Sequence, residues 1–202
     1  MTMKPQGAAV EFLRSSEIID WQHPLILRQA QLLASGTSDK LEIARRTFEW
    51  VRDEIRHSID YQLNPVTCTA SEVITFRTGF CYAKSHLLAA LLRANAIPAG
   101  LCYQRLSRDG DGPPYVLHGL NAVLLPGFGW YRVDARGNKA GVNALFTPPV
   151  EQLAFLPRSA DEADSFAIWP DPIPVVLHAL RTHHTYQDLL ENLPDSETVG
   201  RV

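Results

Sequence analysis

Residues 81–92 form a helical run with almost no polar side. Ala83, Leu87, Leu88, Ala89, Ala90, Leu91 and Leu92 set apolar groups nearly all round it. A helix without a face for water has to be enclosed by other elements, so this run is expected at the centre of the fold, ending before Ile97-Pro98. The chain has 202 residues, 46% of them hydrophobic, enough for a core of that kind within a single domain.

The flanking segments supply what could surround it. Residues 17–35 read as helical, with a start near His23-Pro24, because proline fits a first turn, and a stop at Gly36. A second helix begins near Ser38-Asp39, where Asp39 and Glu42 have capping-box spacing. Leu41, Ala44, Phe48, Val51 and Ile55 then repeat at helical intervals and read as a core stripe. Residues 57–69 are irregular, with a turn at Asn64-Pro65, and 70–76 read as a short helix stopped near Gly79. Strand signals cover 99–106, then 115–125 and 130–136, the last two joined by Pro126-Gly127-Phe128-Gly129 as a hairpin. Asp109-Gly110-Asp111-Gly112 is like the start of a calcium loop, but the later acidic ligand is missing, so it reads as a solvated connection. Residues 138–174 are irregular and proline-rich, and 174–193 read as a last helix. The expected layout is a helical segment over 10–36, a core over 38–137, a C-terminal segment over 138–194 and a disordered polar tail over 195–202.

Charge and cysteine usage remove several function classes. A formal net charge of −3 gives no electrostatic case for nucleic acid or an anionic membrane surface. The densest basic pair, Arg45-Arg46, falls on a helix and reads as a solvated face. Three cysteines, without a CxxC or Cys/His cluster, are too few for a disulfide framework and do not suggest a metal site. Met1 to Val10 lack the apolar run of a signal peptide, and no segment has the about 20 apolar residues that cross a bilayer. A soluble cytoplasmic protein without metal or organic cofactor is expected.

One cysteine stands apart from the others. Cys81 follows Gly79 and opens the central helix, where unpaired N–H groups and the helix dipole favour an anion. A thiolate is the nucleophilic form of cysteine, and the same N–H groups could hold an oxyanion. Cys68 and Cys102 open no helix and read as small buried residues. His118 sits in an otherwise apolar strand, where it must be satisfied. Asp134, late in the next strand, is its candidate partner. An odd-numbered hairpin loop puts 118 and 134 on one face, for example with 120 opposite 134, and an even-numbered loop puts them on opposite faces. The residues alone leave that choice open. His86 reads as a packed histidine, His183-His184 as a solvated pair, and Arg136 as a surface or outer ion pair. Of Trp130 and Tyr131, one is expected in the core and the other at a cleft wall.

Gly79-Phe80-Cys81, His118 and Val133-Asp134 together resemble the transglutaminase-like superfamily, over about residues 48–136. Phe48-Glu49-Trp50-Val51-Arg52-Asp53-Glu54-Ile55-Arg56, Ala70-Ser71-Glu72-Val73, Ala94-Asn95-Ala96-Ile97-Pro98-Ala99 and Leu125-Pro126-Gly127-Phe128-Gly129-Trp130 are similar to its core as well. The resemblance implies an α+β, papain-like fold with the central helix packed on an antiparallel sheet. It also implies a Cys81-His118-Asp134 triad and the hairpin register that parity left open. Where many members carry a small residue and then Trp after the histidine, this chain has Gly119-Leu120. Where members often carry Gly after the cysteine, it has Tyr82. These flanks, with Gly79, Phe80 and Trp130, are the expected cleft residues, and Tyr61 and Gln62 are the candidate side-chain oxyanion donors. The implied activity is thiol-dependent attack on amide or peptide carbonyls through a Cys81 thioester, as in a cysteine protease or amidase. The alternatives are a transglutaminase or other amine acyltransferase, and a non-catalytic module that binds peptide in the same cleft. Protein, peptide or a small amide is the expected substrate.

Overall fold

The computed structural model describes residues 2–110 and 112–199. Its first half contains β1 (Lys4–Pro5), α1 (Pro24–Leu33), α2 (Lys40–Glu54), β2 (Arg56–His57), α3 (Ser58–Tyr61), α4 (Ala70–Phe76), β3 (Thr78–Gly79) and α5 (Cys81–Ala94). The second half contains β4 (Ala99–Ser107), β5 (Tyr115–Leu125), β6 (Gly129–Val133), β7 (Ala163–Asp164), β8 (Ala167–Ile168), α6 (Pro174–Thr182) and α7 (Tyr186–Glu191).

The apolar run is α5, and α1, α2, α4, β4 and β5 all pack on it. Every residue from Cys81 to Arg93 is buried, including polar residues that helical periodicity gave no reason to place inside. Each of them reaches a main-chain carbonyl. The Ser85 hydroxyl donates to Cys81 O (2.8 Å), and His86 Nδ1 bonds Cys68 O (2.7 Å). The Lys84 ammonium donates to the carbonyls of Ile55 and Arg52, closing the C-terminal end of α2. Burial, helped by the nearby Arg136 charge, pushes the Lys84 amine down to about 7. Arg93 donates to Ala99 O twice (3.0 and 2.8 Å), to Arg14 O (2.9 Å) and to Pro170 O (2.6 Å). These bonds spare most of the groups the cost of burial without a partner, and His86 Nε2 is the buried atom among them left unpaired.

The sheet is antiparallel, in the order β6-β5-β4-β7. β4 pairs with β5 from Ala99↔Val123 to Ser107↔Tyr115, and β5 with β6 from Asn121↔Val133 to Leu125↔Gly129. Residues 126, 127 and 128 are therefore the hairpin loop, an odd number, with Gly127 at φ 78° and Gly129 at φ 76° making the turn. This is the register that the resemblance implied. Leu117, Val123, Leu125, Tyr131 and Val133 face α5, while Leu120 and Ala122 join Phe12, Cys102 and Ile168 in a smaller core on the opposite face. β2 and β3 form a short parallel pair beside the start of α5, with His57 opposite Gly79.

Several local expectations are corrected. Asp39 caps α2 by accepting from Leu41 N–H (3.0 Å), but Glu42 is held by Arg45 and Arg46 and does not complete a capping box. The box forms at α4 instead, between Thr69 and Glu72. The last helix is two helices. Thr185 caps α7, His183 Nδ1 meets Asp188 (2.9 Å), and Tyr186 N–H donates to Asn64 Oδ1 (2.7 Å). These contacts turn the chain at 183–185, and the remote Asn64 could not be read from the local pattern. The tail expected to be disordered is packed as far as it is described: Asp195 forms a two-armed ion pair with Arg105 (2.7 Å), and Val199 is buried. Residues 200–202 and Asp111 of the glycine-aspartate loop lie outside the described residues. Among the described residues no helix is long and apolar enough to cross a membrane.

Candidate active site

Three elements converge at the start of α5. Phe80 precedes it in extended conformation and supplies no side-chain cap, so no side chain competes for the first-turn N–H groups around Cys81. β5 passes alongside, and Gly119 N–H donates to Cys81 Sγ (3.4 Å). Beyond the end of β6, Asp134 lies on the same face of the hairpin as His118, and Asp134 Oδ2 accepts from His118 Nε2 at 2.7 Å. The ring lines the same cleft as the Cys81 sulfur and interacts with it electrostatically.

Asp134 is fully enclosed. Its carboxylate accepts from Arg136 N–H (3.1 Å) and Ala154 N–H (3.2 Å) as well as from the histidine. Burial alone would raise its pKa, but the His118 charge and these three donors outweigh burial and hold it below the usual carboxylate range. For His118, burial disfavours the imidazolium. The Asp134 carboxylate and the Cys81 sulfur more than offset this and lift the pKa to about 10. The fold should register this. A raised histidine stabilises the native state fully below its unfolded value of 6.5, and that contribution is lost as pH rises towards about 10. The urea midpoint is therefore expected to fall across that interval, and the fall should be missing in His118→Gln. Asp134, held low, acts from the other side: its contribution is present above the usual carboxylate range and is lost as pH drops through it.

Two residues beside the thiol, Gly119 and Tyr82, fit each other. A Cβ on Gly119 would stand 2.9 Å from Tyr82 Cδ1 and 3.1 Å from Tyr82 Cα, so only glycine lets β5 approach the first turn of α5. The Tyr82 hydroxyl is pinned on Leu117 O. Gly119→Ala should cost about 1–3 kcal/mol by overpacking and push β5 away from the thiol. A lowered urea midpoint together with slower Cys81 alkylation would register both effects.

A cleft of about 280 Å³ opens onto Cys81 and His118. Phe80 and Tyr82 line it as expected, and Gly119 touches the thiol beside it. The other expected cleft residues lie elsewhere. Gly79 is packed against Thr67 and Ala83 under the site. Tyr61 is 59% exposed, with the Arg56 guanidinium 5.4 Å from its ring, and Gln62 is exposed in a left-handed turn after α3. Neither faces the cleft, so neither is placed as an oxyanion donor. Trp130 stacks edge-on with Phe12 at 4.9 Å on the far face of the sheet, and Tyr131 is in the main core, so neither is a cleft wall. Arg136 is not at the surface: it is 7% exposed and paired with Asp60 (2.8 Å), which Lys139 also holds (2.6 Å). These cations, against the burial of Asp60, keep that carboxyl at about 2. His57, Phe155, Leu190 and Leu193 also line the cleft. They come from segments with no local sequence signal for a site. His57 is buried, with Nδ1 unpaired 4.0 Å from Asp60, and its neutral form is favoured by burial and by Arg136.

The family model of the transglutaminase-like superfamily matches residues 28–135. The chain belongs to the transglutaminase-like superfamily. Among solved structures, this superfamily member resembles a protein provisionally named a cysteine protease from Cytophaga hutchinsonii, with 22% identity and a TM-score of 0.52, over 65% of this chain and 43% of that one. It is also similar to the periplasmic domain of TgpA from Pseudomonas aeruginosa, with 21% identity and a TM-score of 0.45, over 61% of this chain and 45% of that one. The chain thus spans less than half the length of either. No curated protein sequence matches it. The first likeness agrees with the superfamily's papain-like α+β fold, with the central helix on an antiparallel sheet.

Proposed function

We propose that this superfamily member is a thiol-dependent enzyme that acts on amide or peptide carbonyls through a thioester at Cys81. The observation that carries the reading is His118, held by Nε2 on a buried carboxylate and lining the same cleft as the Cys81 thiol. A buried histidine needs one partner to be satisfied. A carboxylate-bound histidine in one cleft with a thiol at an uncapped helix start supplies the parts of a relay.

In the proposed cycle the thiol proton rests on His118, whose imidazolium Asp134 stabilises. Cys81 Sγ attacks the substrate carbonyl carbon, and the first-turn N–H groups of α5 receive the oxyanion. The C–N bond then breaks, the leaving amine takes the proton from His118, and a thioester remains. Water, deprotonated by His118, attacks the thioester and releases the acid and the free thiol. An amine in place of water would give acyl transfer through the same intermediate, and product analysis with and without added amine separates the two.

The test of the reading is alkylation. Iodoacetamide should modify Cys81 near neutral pH at least tenfold faster than Cys68 or Cys102, and His118→Ala should remove that advantage. The controls are sound, because burial raises the Cys68 thiol to about 11 and raises Cys102 further. Three cysteines of equal reactivity would favour a peptide-binding module instead.

A further inference from the structure

The β5 side of the cleft is closed by the C-terminal segment and not by the sheet. α7 lies against α3, and Val66 N–H donates to His184 O (3.4 Å) where the segment turns. Leu190 and Leu193 then reach the cleft, Pro194 O accepts from Leu117 N–H (2.8 Å), and Asp195 is clamped by Arg105. Leu117 directly precedes His118. Like Gly119, it directs its N–H to a partner other than β4, on the edge of β5 that β6 leaves open before Asn121. Both of its main-chain groups are taken, the N–H by Pro194 and the carbonyl by the Tyr82 hydroxyl.

An extended peptide bound beside a sheet edge depends on such groups being free. Here they are filled, and what remains is a cavity of about 280 Å³ walled by Leu106, Val116, Phe155, Leu190 and Leu193. That is near the lower limit of small-molecule pockets, about 300 Å³. The charged side chains on its wall are already paired, Arg136 with Asp60, His118 with Asp134 and, at the exposed rim, Arg108 with Asp109. Resting on the thiol-enzyme reading above, the geometry points to a substrate with a compact, uncharged, apolar acyl group that ends against Leu190 and Leu193. The site takes a carbonyl at the end of a molecule and not an internal bond of a polypeptide laid along β5.

Alkyl chloromethyl ketones test this on the full chain without a known leaving group, since Sγ bonds to the methylene carbon and chloride departs. The isobutyl and pentyl ketones should alkylate Cys81 at least tenfold faster than the methyl ketone, a carboxylate-bearing analogue or a tetrapeptide chloromethyl ketone. Leu193→Ala should move the optimum to a longer chain. Leu190→Trp should lower the pentyl-to-methyl rate ratio at least tenfold, and this ratio cancels any general loss of reactivity. A flat series, a preference for the tetrapeptide reagent, or ratios unmoved by both variants would overturn the proposal while leaving the triad standing. If iodoacetamide does not distinguish Cys81 from Cys68 and Cys102, the thiol-enzyme reading falls and this proposal with it.

Discussion

Cys81→Ala is expected to abolish turnover, and Asp134→Asn to lower kcat by about 10⁴-fold, with the fold retained in both. Removing the thiol removes the only proposed nucleophile. The asparagine effect is subtler. Asp134 accepts three hydrogen bonds from a fully buried position, one on Oδ1 from Arg136 N–H and two on Oδ2, from His118 Nε2 and Ala154 N–H. With the one amide oxygen of an asparagine on Arg136 N–H, its NH₂ faces His118 and demands an acceptor there, which turns the imidazole into the wrong tautomer for taking a proton from Cys81, while Ala154 N–H loses its acceptor. The negative charge that offsets burial of the imidazolium is also lost. The His118 pKa should therefore drop from about 10, visible by NMR titration of the ring, while the urea midpoint moves far less than the rate. A kcat within tenfold of the parent would remove Asp134 from the mechanism.

Arg93→Ala is expected to produce the largest loss of stability, about 4 kcal/mol, from a cavity and from carbonyls left without donors. The guanidinium is 2% exposed and meets no carboxylate among the described residues. Its donors go to three carbonyls, those of Arg14, Ala99 and Pro170, which lie far apart in the chain. Burial, with the Arg14 charge, pulls it down to about 10, so it remains charged at neutral pH. Against a typical domain stability of about 5–15 kcal/mol, such a loss removes between about a quarter and four fifths of the total, and the midpoint of urea unfolding should fall in proportion. Lysine should recover only part of it, because one ammonium cannot span the three carbonyls that the planar fork reaches. A midpoint within experimental scatter of the parent would show that water satisfies those carbonyls instead.

What could be read from the sequence follows the range over which each feature is encoded. The stripe of α2, the all-round apolarity of α5 and the glycine turn of the hairpin lie within a few residues each, and the structure keeps all three. The cysteine, histidine and aspartate stood out because each breaks an apolar or glycine-marked context. The features that escaped depend on remote partners. Asn64 contributes to the break between α6 and α7. Lys84 is buried because Ile55 and Arg52 end a different helix above it. Phe155, Leu190 and Leu193 reach the cleft from a region whose local pattern is irregular or was read as one continuous helix, so no spacing rule could assign them to a site.

The bonds made by the polar side chains of α5 also bear on how this protein can change. Ser85 closes on its own helix, and Lys84, His86 and Arg93 hold the surrounding segments by the carbonyls of Arg52, Ile55, Cys68, Ala99, Arg14 and Pro170. A carbonyl is common to all amino acids, so these anchors constrain the path of each segment and leave its side chains free to drift. Combinatorial libraries that randomise exposed positions of those segments should keep a high fraction of folded clones, while the same diversity spread over 84–93 should leave few.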